Sequence, residues 1–159
     1  MKKLFALLMA AFMVVAMFAA CAPANSGDAG NTASNTEIVI GVSGPLTGGA
    51  AVYGLAVQNA AQIAVDEINE AGGFNGYKFK LIATDDQHDP TKVATNYANM
   101  MNQGMQLSLG TVTTDPGKEF KNLAKEDNVF FLTPSASGVD VIEAGDNIFQ
   151  ICFTDPNQG

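Results

Sequence analysis

The stretch Ile38 to Gly73, IVIGVSGPLTGGAAVYGLAVQNAAQIAVDEINEAGG, limits the possible folds of this chain more than any other. It begins with a short apolar run, Ile38-Val39-Ile40-Gly41-Val42, that shows no polar alternation. Such a run predicts a strand buried on both faces, as in a parallel sheet covered by helices. A turn rich in Gly, Ser, Pro and Thr follows, and then a long amphipathic segment. There Val57, Ala60, Ala61, Ala64 and Ile68 recur at i, i+3, i+4, i+7 and i+11, which marks one face of a helix. Asp66, Glu67 and Glu70 lie in its C-terminal half, the wrong end for the helix dipole, so they are expected to be solvated. Gly72-Gly73 ends the helix, because glycine takes the left-handed cap without a Cβ penalty. The unit is the opening strand–loop–helix of an open α/β domain. Ligands of such sheets sit beyond the carboxyl ends of the strands, which directs attention to the loop Ser43 to Tyr53.

The residues before this unit have another character. Lys2-Lys3, the apolar run Leu4 to Ala20 and the small residues Ala19 and Ala20 before Cys21 form a targeting segment. It resembles a bacterial lipoprotein signal peptide (residues 1–20), with Cys21 as the lipidated first residue of the mature chain. Phe18 stands where Leu is usual. Stable attachment implies more than one acyl chain on that cysteine. An uncleaved membrane anchor is the alternative, since the apolar run approaches the length that spans a bilayer. Residues 21–36 continue as APANSGDAGNTASNT after the cysteine, a flexible tether without apolar periodicity. Residues 37–159 then form the folded part of the chain. The whole chain has a formal charge of -8 from 8 Lys+Arg and 16 Asp+Glu. Removing Lys2 and Lys3 with the signal makes it more acidic still, which argues against nucleic acid or anionic lipid as a partner. Cys152 then has no intrachain partner and reads as a small buried apolar residue.

Downstream, the pattern alternates. Tyr77 to Thr84 predicts a second strand, with Phe79 and Leu81 alternating with Lys78 and Lys80 as near a sheet edge. Asp89 and Pro90 read as N-cap and first residue of a helix running to about Asn102, with Val93, Ala94, Tyr97, Ala98 and Met101 on one face. Met105 to Gly110 is a third strand. Asp115 and Pro116 start a third helix, with Phe120, Leu123 and Ala124 facing inward. Val129 to Leu132 is a fourth strand, and Asn147 to Phe153 a possible fifth. The order βαβαβαβ gives an open parallel sheet with helices on both faces.

Three loops, Ser43 to Tyr53, Thr111 to Asp115 and Thr133 to Gly138, fall at carboxyl ends of strands. All are rich in Ser, Thr and Gly and poor in cations. Hydroxyls beside free N–H groups at a helix N-terminus suit a small carboxylate. Taken singly, such hydroxyls equally cap helices and turns. Enzyme signatures are missing: no P-loop, no G-x-G-x-x-G after the first strand, no G-x-S-x-G elbow. A surface hydrolase would need a nucleophile and base that one histidine does not supply. That histidine, His88, sits in Asp85-Asp86-Gln87-His88-Asp89. With no second His or paired Cys to close a shell, no metal is expected there, nor any cofactor.

The segments IGVSGPLTG (Ile40 to Gly48), VYG (Val52 to Gly54), DEINEAGGFNG (Asp66 to Gly76), DDQHDP (Asp85 to Pro90), GTVTT (Gly110 to Thr114), LTPSAS (Leu132 to Ser137) and ICFTDPNQG (Ile151 to Gly159) together resemble the type I periplasmic binding proteins of ABC importers, in particular the branched-chain amino-acid group. The resemblance implies a lipid-anchored, extracytoplasmic substrate-binding protein that performs no chemistry. Such a protein takes up an amino acid between two lobes and presents it to the permease subunits. It implies that Tyr53 packs on the ligand side chain and that Thr114 binds the α-carboxylate. The backbone at Ser135 and Ala136 contributes to the head group, and Ser137 holds carboxylate and ammonium. Where some members have a disulfide, this chain has His88 and Thr113. It further implies that residues 37–159 are a partial N-terminal lobe of the ligand-binding domain, ending near the first crossing between lobes with the second lobe absent, so that these residues alone bind amino acid weakly or not at all. The same fold as a sensory ectodomain is the rival expectation.

Overall fold

Glu37–Gly44 (β1) has parallel partners on both sides, which is why its sequence carries no polar alternation: Val39 to Gly44 are all buried. The computed structural model describes residues 37–143 and 145–158. The expected signal segment, Cys21 and the tether lie outside them. After β1 come a helix Ala51–Glu70 (α1), a strand Lys78–Asp85 (β2), a 3-10 turn Pro90–Lys92 running into Val93–Asn102 (α2), and a strand Met105–Leu109 (β3). A helix Thr114–Glu126 (α3) and the strands Phe130–Thr133 (β4) and Ile148–Gln150 (β5) complete the sheet. The strand order is β2-β1-β3-β4-β5, and every pair is parallel. β2 is an edge strand, as its Lys-Phe-Lys-Leu alternation predicts. Among the described residues no helix is long and apolar enough to cross a membrane.

One face of the sheet carries α2 and α3. Val93, Tyr97 and Met100 of α2 and Phe120 and Ala124 of α3 close over Met105, Phe131 and Ile148. The Phe120 ring stacks on Phe131 with centroids 5.0 Å apart and meets Tyr97 edge-on at 5.1 Å. The face expected for α2 is partly right: Val93 and Tyr97 are buried, but Ala94 and Ala98 are exposed, and Met100 rather than Met101 is fully buried. A long side chain fills the space over β1 that an alanine would leave open. At Gly41 of β1 an added Cβ would lie 2.2 Å from the Met105 sulfur and 3.0 Å from that of Met100.

On the other face α1 lies over β1 and β2, burying Gly54, Ala61 and Val65. The predicted stripe is only partly right. Ala61 is buried, but Ala60, Ala64 and Ile68 are exposed. Asp66, Glu67 and Glu70 are exposed as expected. The stripe misleads because α1 covers only part of its face of the sheet. Val57, Ala60 and Ala61 instead border an apolar hollow of about 200 Å³ with Leu109, Leu132, Pro134 and Ile151. Phe130 and Phe149, stacked at 5.3 Å, are exposed, while their strand neighbours Phe131 and Ile148 are buried. Cys152 is half-buried, and its thiol donates to the Ala136 carbonyl at 3.6 Å.

Candidate functional site

The register sets the site. Gly44 is paired with Asp85 at the end of β2, and β3 and β4 run the same way beside β1. The loops after β1, β2, β3 and β4 therefore emerge along one edge. Sequence reasoning selected three of these loops and passed over the one after β2.

That omitted loop fastens the first one. One Asp85 oxygen accepts the N–H groups of Leu46 (2.8 Å), Thr47 (3.3 Å) and Gln87 (3.0 Å), and the other accepts the Thr47 hydroxyl at 2.5 Å. Burial opposes ionisation of Asp85, but these bonds outweigh it, so its carboxyl titrates below the ordinary aspartate range. Asp86 is fully buried, accepting from Ser43 Oγ at 3.0 Å and from the His88 N–H at 2.9 Å. Burial pushes its carboxyl up against those two bonds, and Asp85 beside it adds to the push. Gln87 and His88 both adopt the left-handed region, at φ 55° and 60°. Two successive side-chain-bearing residues there are costly and persist only when the surroundings over-determine them. The two aspartates, each bonding the N–H two residues on, do so.

The start of α3 is the second component. Thr114 is its first residue and Thr113 its N-cap; Asp115 and Pro116, expected to open the helix, lie one and two places inside it. The first helical N–H groups have no acceptor within the helix, so those of Thr114 and Asp115 are available at the site. Pro116 has none, and the Gly117 N–H is already bound to the Thr113 carbonyl at 3.1 Å. Asp115 is paired to Lys118 at 3.3 Å, and Lys118 also reaches Asp140 at 3.1 Å. Hydrogen bonds to Asp140 and Asp115 hold the Lys118 ammonium above its ordinary range.

The loop after β4 meets this helix start. The Gly138 N–H donates to Thr114 Oγ1 at 3.2 Å, and a Cβ on Gly138 would lie 2.5 Å from the Thr114 methyl. Glycine is required there by the closeness of the approach. Ser135 Oγ donates to the Val112 carbonyl at 2.5 Å, and Thr133 Oγ1 donates to the Thr111 carbonyl at 2.7 Å. The loops after β3 and β4 are thus joined by three hydrogen bonds.

Between them lies a hollow of about 330 Å³ lined by Tyr53, His88, Val112, Thr113, Thr114, Asp115, Ser135 and Ser137. Four of the five residues expected at a binding site, Tyr53, Thr114, Ser135 and Ser137, line it. Tyr53, in the first turn of α1, is 63% exposed and offers its ring for packing. The fifth, Ala136, does not: it is fully buried, its N–H donates to Thr133 Oγ1, and its carbonyl accepts from Gln150 and Cys152. Val112, Thr113 and Asp115 of the lining lie in the expected loop Thr111 to Asp115, whereas His88 lies outside the three expected loops. The signal for His88 was its position just past the carboxyl end of β2. Among the described residues no group of three or more His, Cys, Asp or Glu could hold a metal ion.

The family profile described as "Periplasmic binding protein" matches residues 37–159. A Leu/Ile/Val-binding protein homolog from Brucella melitensis is 34% identical over 128 residues, 80% of this chain and 35% of its own length. A leucine-, isoleucine-, valine-, threonine- and alanine-binding protein from Pseudomonas aeruginosa is 31% identical over 144 residues, 90% of this chain and 38% of its own length. Among solved structures, a branched-chain amino acid transporter substrate-binding protein from Streptococcus pneumoniae, in complex with isoleucine, superposes with a TM-score of 0.70. It is 30% identical, and the match covers 75% of this chain and 34% of that one. The chain therefore spans a little over a third of the length of these relatives. A parallel sheet with helices on both faces, a cation-poor hollow at its carboxyl edge and a match over all of residues 37–159 agree, and the chain belongs to the periplasmic binding protein family.

Proposed function

We propose that this chain supplies one wall of an extracytoplasmic binding site for a branched-chain amino acid or related small solute, which is delivered to the permease of an ABC importer. In this reading residues 1–20 are removed, Cys21 is lipidated, and the following residues up to 36 tether residues 37–159 to the membrane. The contact between Thr114 and Gly138 carries the reading, because it joins a helix N-terminus to a serine-rich loop beside an open hollow. A carboxylate placed there meets the N–H groups of Thr114 and Asp115, the Thr114 hydroxyl and Ser137. The positive end of α3 favours the anion, and no buried cation is needed. Ser135 contributes its backbone to the head group. Ala136 acts only through the loop it anchors, its own polar groups being already paired. The Tyr53 ring packs on the solute's carbon. Binding without chemistry suits this set, since nucleophile and base are not paired in the lining.

Relatives about three times as long carry further chain, and in this reading the rest of the polypeptide forms the opposite wall, with an acidic group for the ammonium. Calorimetry with leucine, isoleucine and valine tests it. The product of the full open reading frame is expected to bind at micromolar level, and the 159-residue chain weakly or not at all. Thr114→Ser keeps both the Gly138 bond and the ligand contact. Thr114→Val removes them and is expected to weaken binding by about 10- to 100-fold, as for one hydrogen bond to a charged group. A full-length product that ignores every carboxylate-bearing solute, or a Thr114→Val variant that binds as before, overturns the reading. Mass spectrometry finding an unmodified Cys21 in the native protein removes the lipid anchor from it.

A further inference from the structure

We infer that Thr113 and His88 read the part of the solute beyond its carboxylate, and favour a side chain bearing a hydroxyl or amide over an aliphatic one of the same size. The inference rests on the solute-binding reading above and names the ligand class more narrowly. With the carboxylate at the start of α3, the remainder of the solute meets Tyr53, Val112, Thr113 and His88, which line the same hollow. Tyr53 and Val112 offer mainly carbon. Thr113 and His88 carry hydrogen-bonding side-chain groups that no other described residue pairs.

Thr113 occupies the N-cap of α3, where a threonine hydroxyl ordinarily accepts from the N–H two or three residues on. Here it makes no capping bond, and Oγ1 is buried without a hydrogen-bond partner among the described residues. The third helical residue is Pro116, which has no N–H to give. A rotation of about 120° about χ1 carries Oγ1 to the position the methyl now holds while the methyl takes that of the hydrogen, so the hydroxyl can turn to a ligand without backbone movement. No hydrogen bond among the described residues ends on the His88 ring, and His88 is the chain's single histidine. Its backbone is nonetheless fixed. The N–H is held by the Asp86 carboxylate, which Ser43 holds in turn inside the fold. The ring therefore hangs from an anchored point on the wall of the hollow.

An aliphatic side chain packed there covers these groups and leaves them unpaired, while a hydroxyl or amide pairs with them. Sites that hydrogen-bond a substrate group discriminate against the analogue that lacks it. L-threonine and L-valine make the test pair, because they differ by a hydroxyl in place of a methyl. Calorimetry on the full-length product is expected to give threonine an advantage of about tenfold or more. In Thr113→Val that advantage falls to about one or reverses, with valine binding at least as well as before. Thr113→Ser retains it. His88→Gly removes the ring while suiting φ 60°, and lowers affinity for threonine but not for valine. Valine binding as tightly as threonine in the wild type overturns the inference and leaves the solute-binding reading standing. So do variants that weaken both ligands equally, which marks a purely structural role. If neither amino acid binds, both readings fall together.

Discussion

At the scale of single residues, Asp85 and Asp86 are neighbours with opposite titration behaviour, and each makes a pH prediction. Asp85 titrates low because its four hydrogen bonds favour the charged form over the burial that opposes it. A depressed folded pKa contributes stability above the ordinary aspartate value, and that contribution is lost as pH falls through the folded one. Asp85→Asn is thus expected to cost about 1 kcal/mol at pH 7, with a deficit that closes under strong acid. Asp86 titrates high because it is buried, so its ionised form costs stability at neutral pH, and the cost disappears as the group protonates on acidification. Asp86→Asn keeps an acceptor for the His88 N–H and lets Ser43 turn to accept. It should melt at or above the wild-type temperature at pH 7, with the gain shrinking as pH falls towards 4. Asp86→Ala leaves the His88 N–H unmet and should lose about 1–3 kcal/mol at any pH. Thermal melts between pH 3 and 7 separate these cases; an Asp86→Asn variant as damaged as Asp86→Ala contradicts the assignment. Loops at the sheet edge were legible from segment type and position, but Tyr53, Thr114, Ser135 and Ser137 were singled out within them by the family resemblance, and all four line the hollow. His88 carried only the signal of its position just past β2, because its place on the wall of the hollow depends on a left-handed backbone held by two carboxylates. No periodicity or motif encodes that.

At the scale of elements, the strands and helices were legible because β1 is an apolar run, β3 is short and mostly apolar, and the helices end in glycine or asparagine turns. The inward faces of α1 and α2 were less so. Periodicity gives the stripe a helix could bury, but the extent of the neighbouring sheet decides which part is covered. Gly54 shows what fixes α1 in place: a Cβ there would lie 2.0 Å from the Pro45 carbonyl oxygen and 2.6 Å from its carbon. The obstacle is backbone, so it cannot swing aside. Gly54→Ala is expected to displace α1 from the turn after β1 and cost about 1–3 kcal/mol, the range for overpacking, despite the better helix propensity of alanine. Denaturant melts of that variant beside Ala56→Gly, an exposed site on the same helix, check it. The exposed site should lose only about 1 kcal/mol from propensity. A Gly54→Ala variant at least as stable as wild type means the helix does not pack as closely as described.

At the scale of the whole molecule, the sheet is covered unevenly, and this follows from the order of its strands. α2 and α3 close one face over Met105, Phe131 and Ile148. On the other face α1 serves β1 and β2 and only borders the hollow beside Leu109 and Leu132, so among the described residues no helix packs over the outward side of β5 and most of β4. Phe130 is 43% exposed, Phe149 46%, Ile151 68% and Phe153 75%. Together with the hollow bordered by Leu109, Leu132 and Ile151, they form an apolar surface larger than scattered hydrophobic residues account for. The strand patterns alone could not reveal this, because a continuous apolar run looks the same whether its second face meets a helix or water. The 159-residue chain is therefore expected to associate at micromolar concentrations, seen as a rising mean mass in sedimentation equilibrium, and to bind a hydrophobic dye. Phe149→Lys with Ile151→Lys should return it to a monomer and abolish dye binding without lowering its melting temperature, since neither side chain belongs to the buried cluster. The same pair placed in the full-length product should destabilise it if further chain covers this face, and leave it unchanged if the face stays open. A wild-type chain that remains monomeric and dye-free at high concentration shows that Phe149, Ile151 and Phe153 are covered in solution by something other than a second copy.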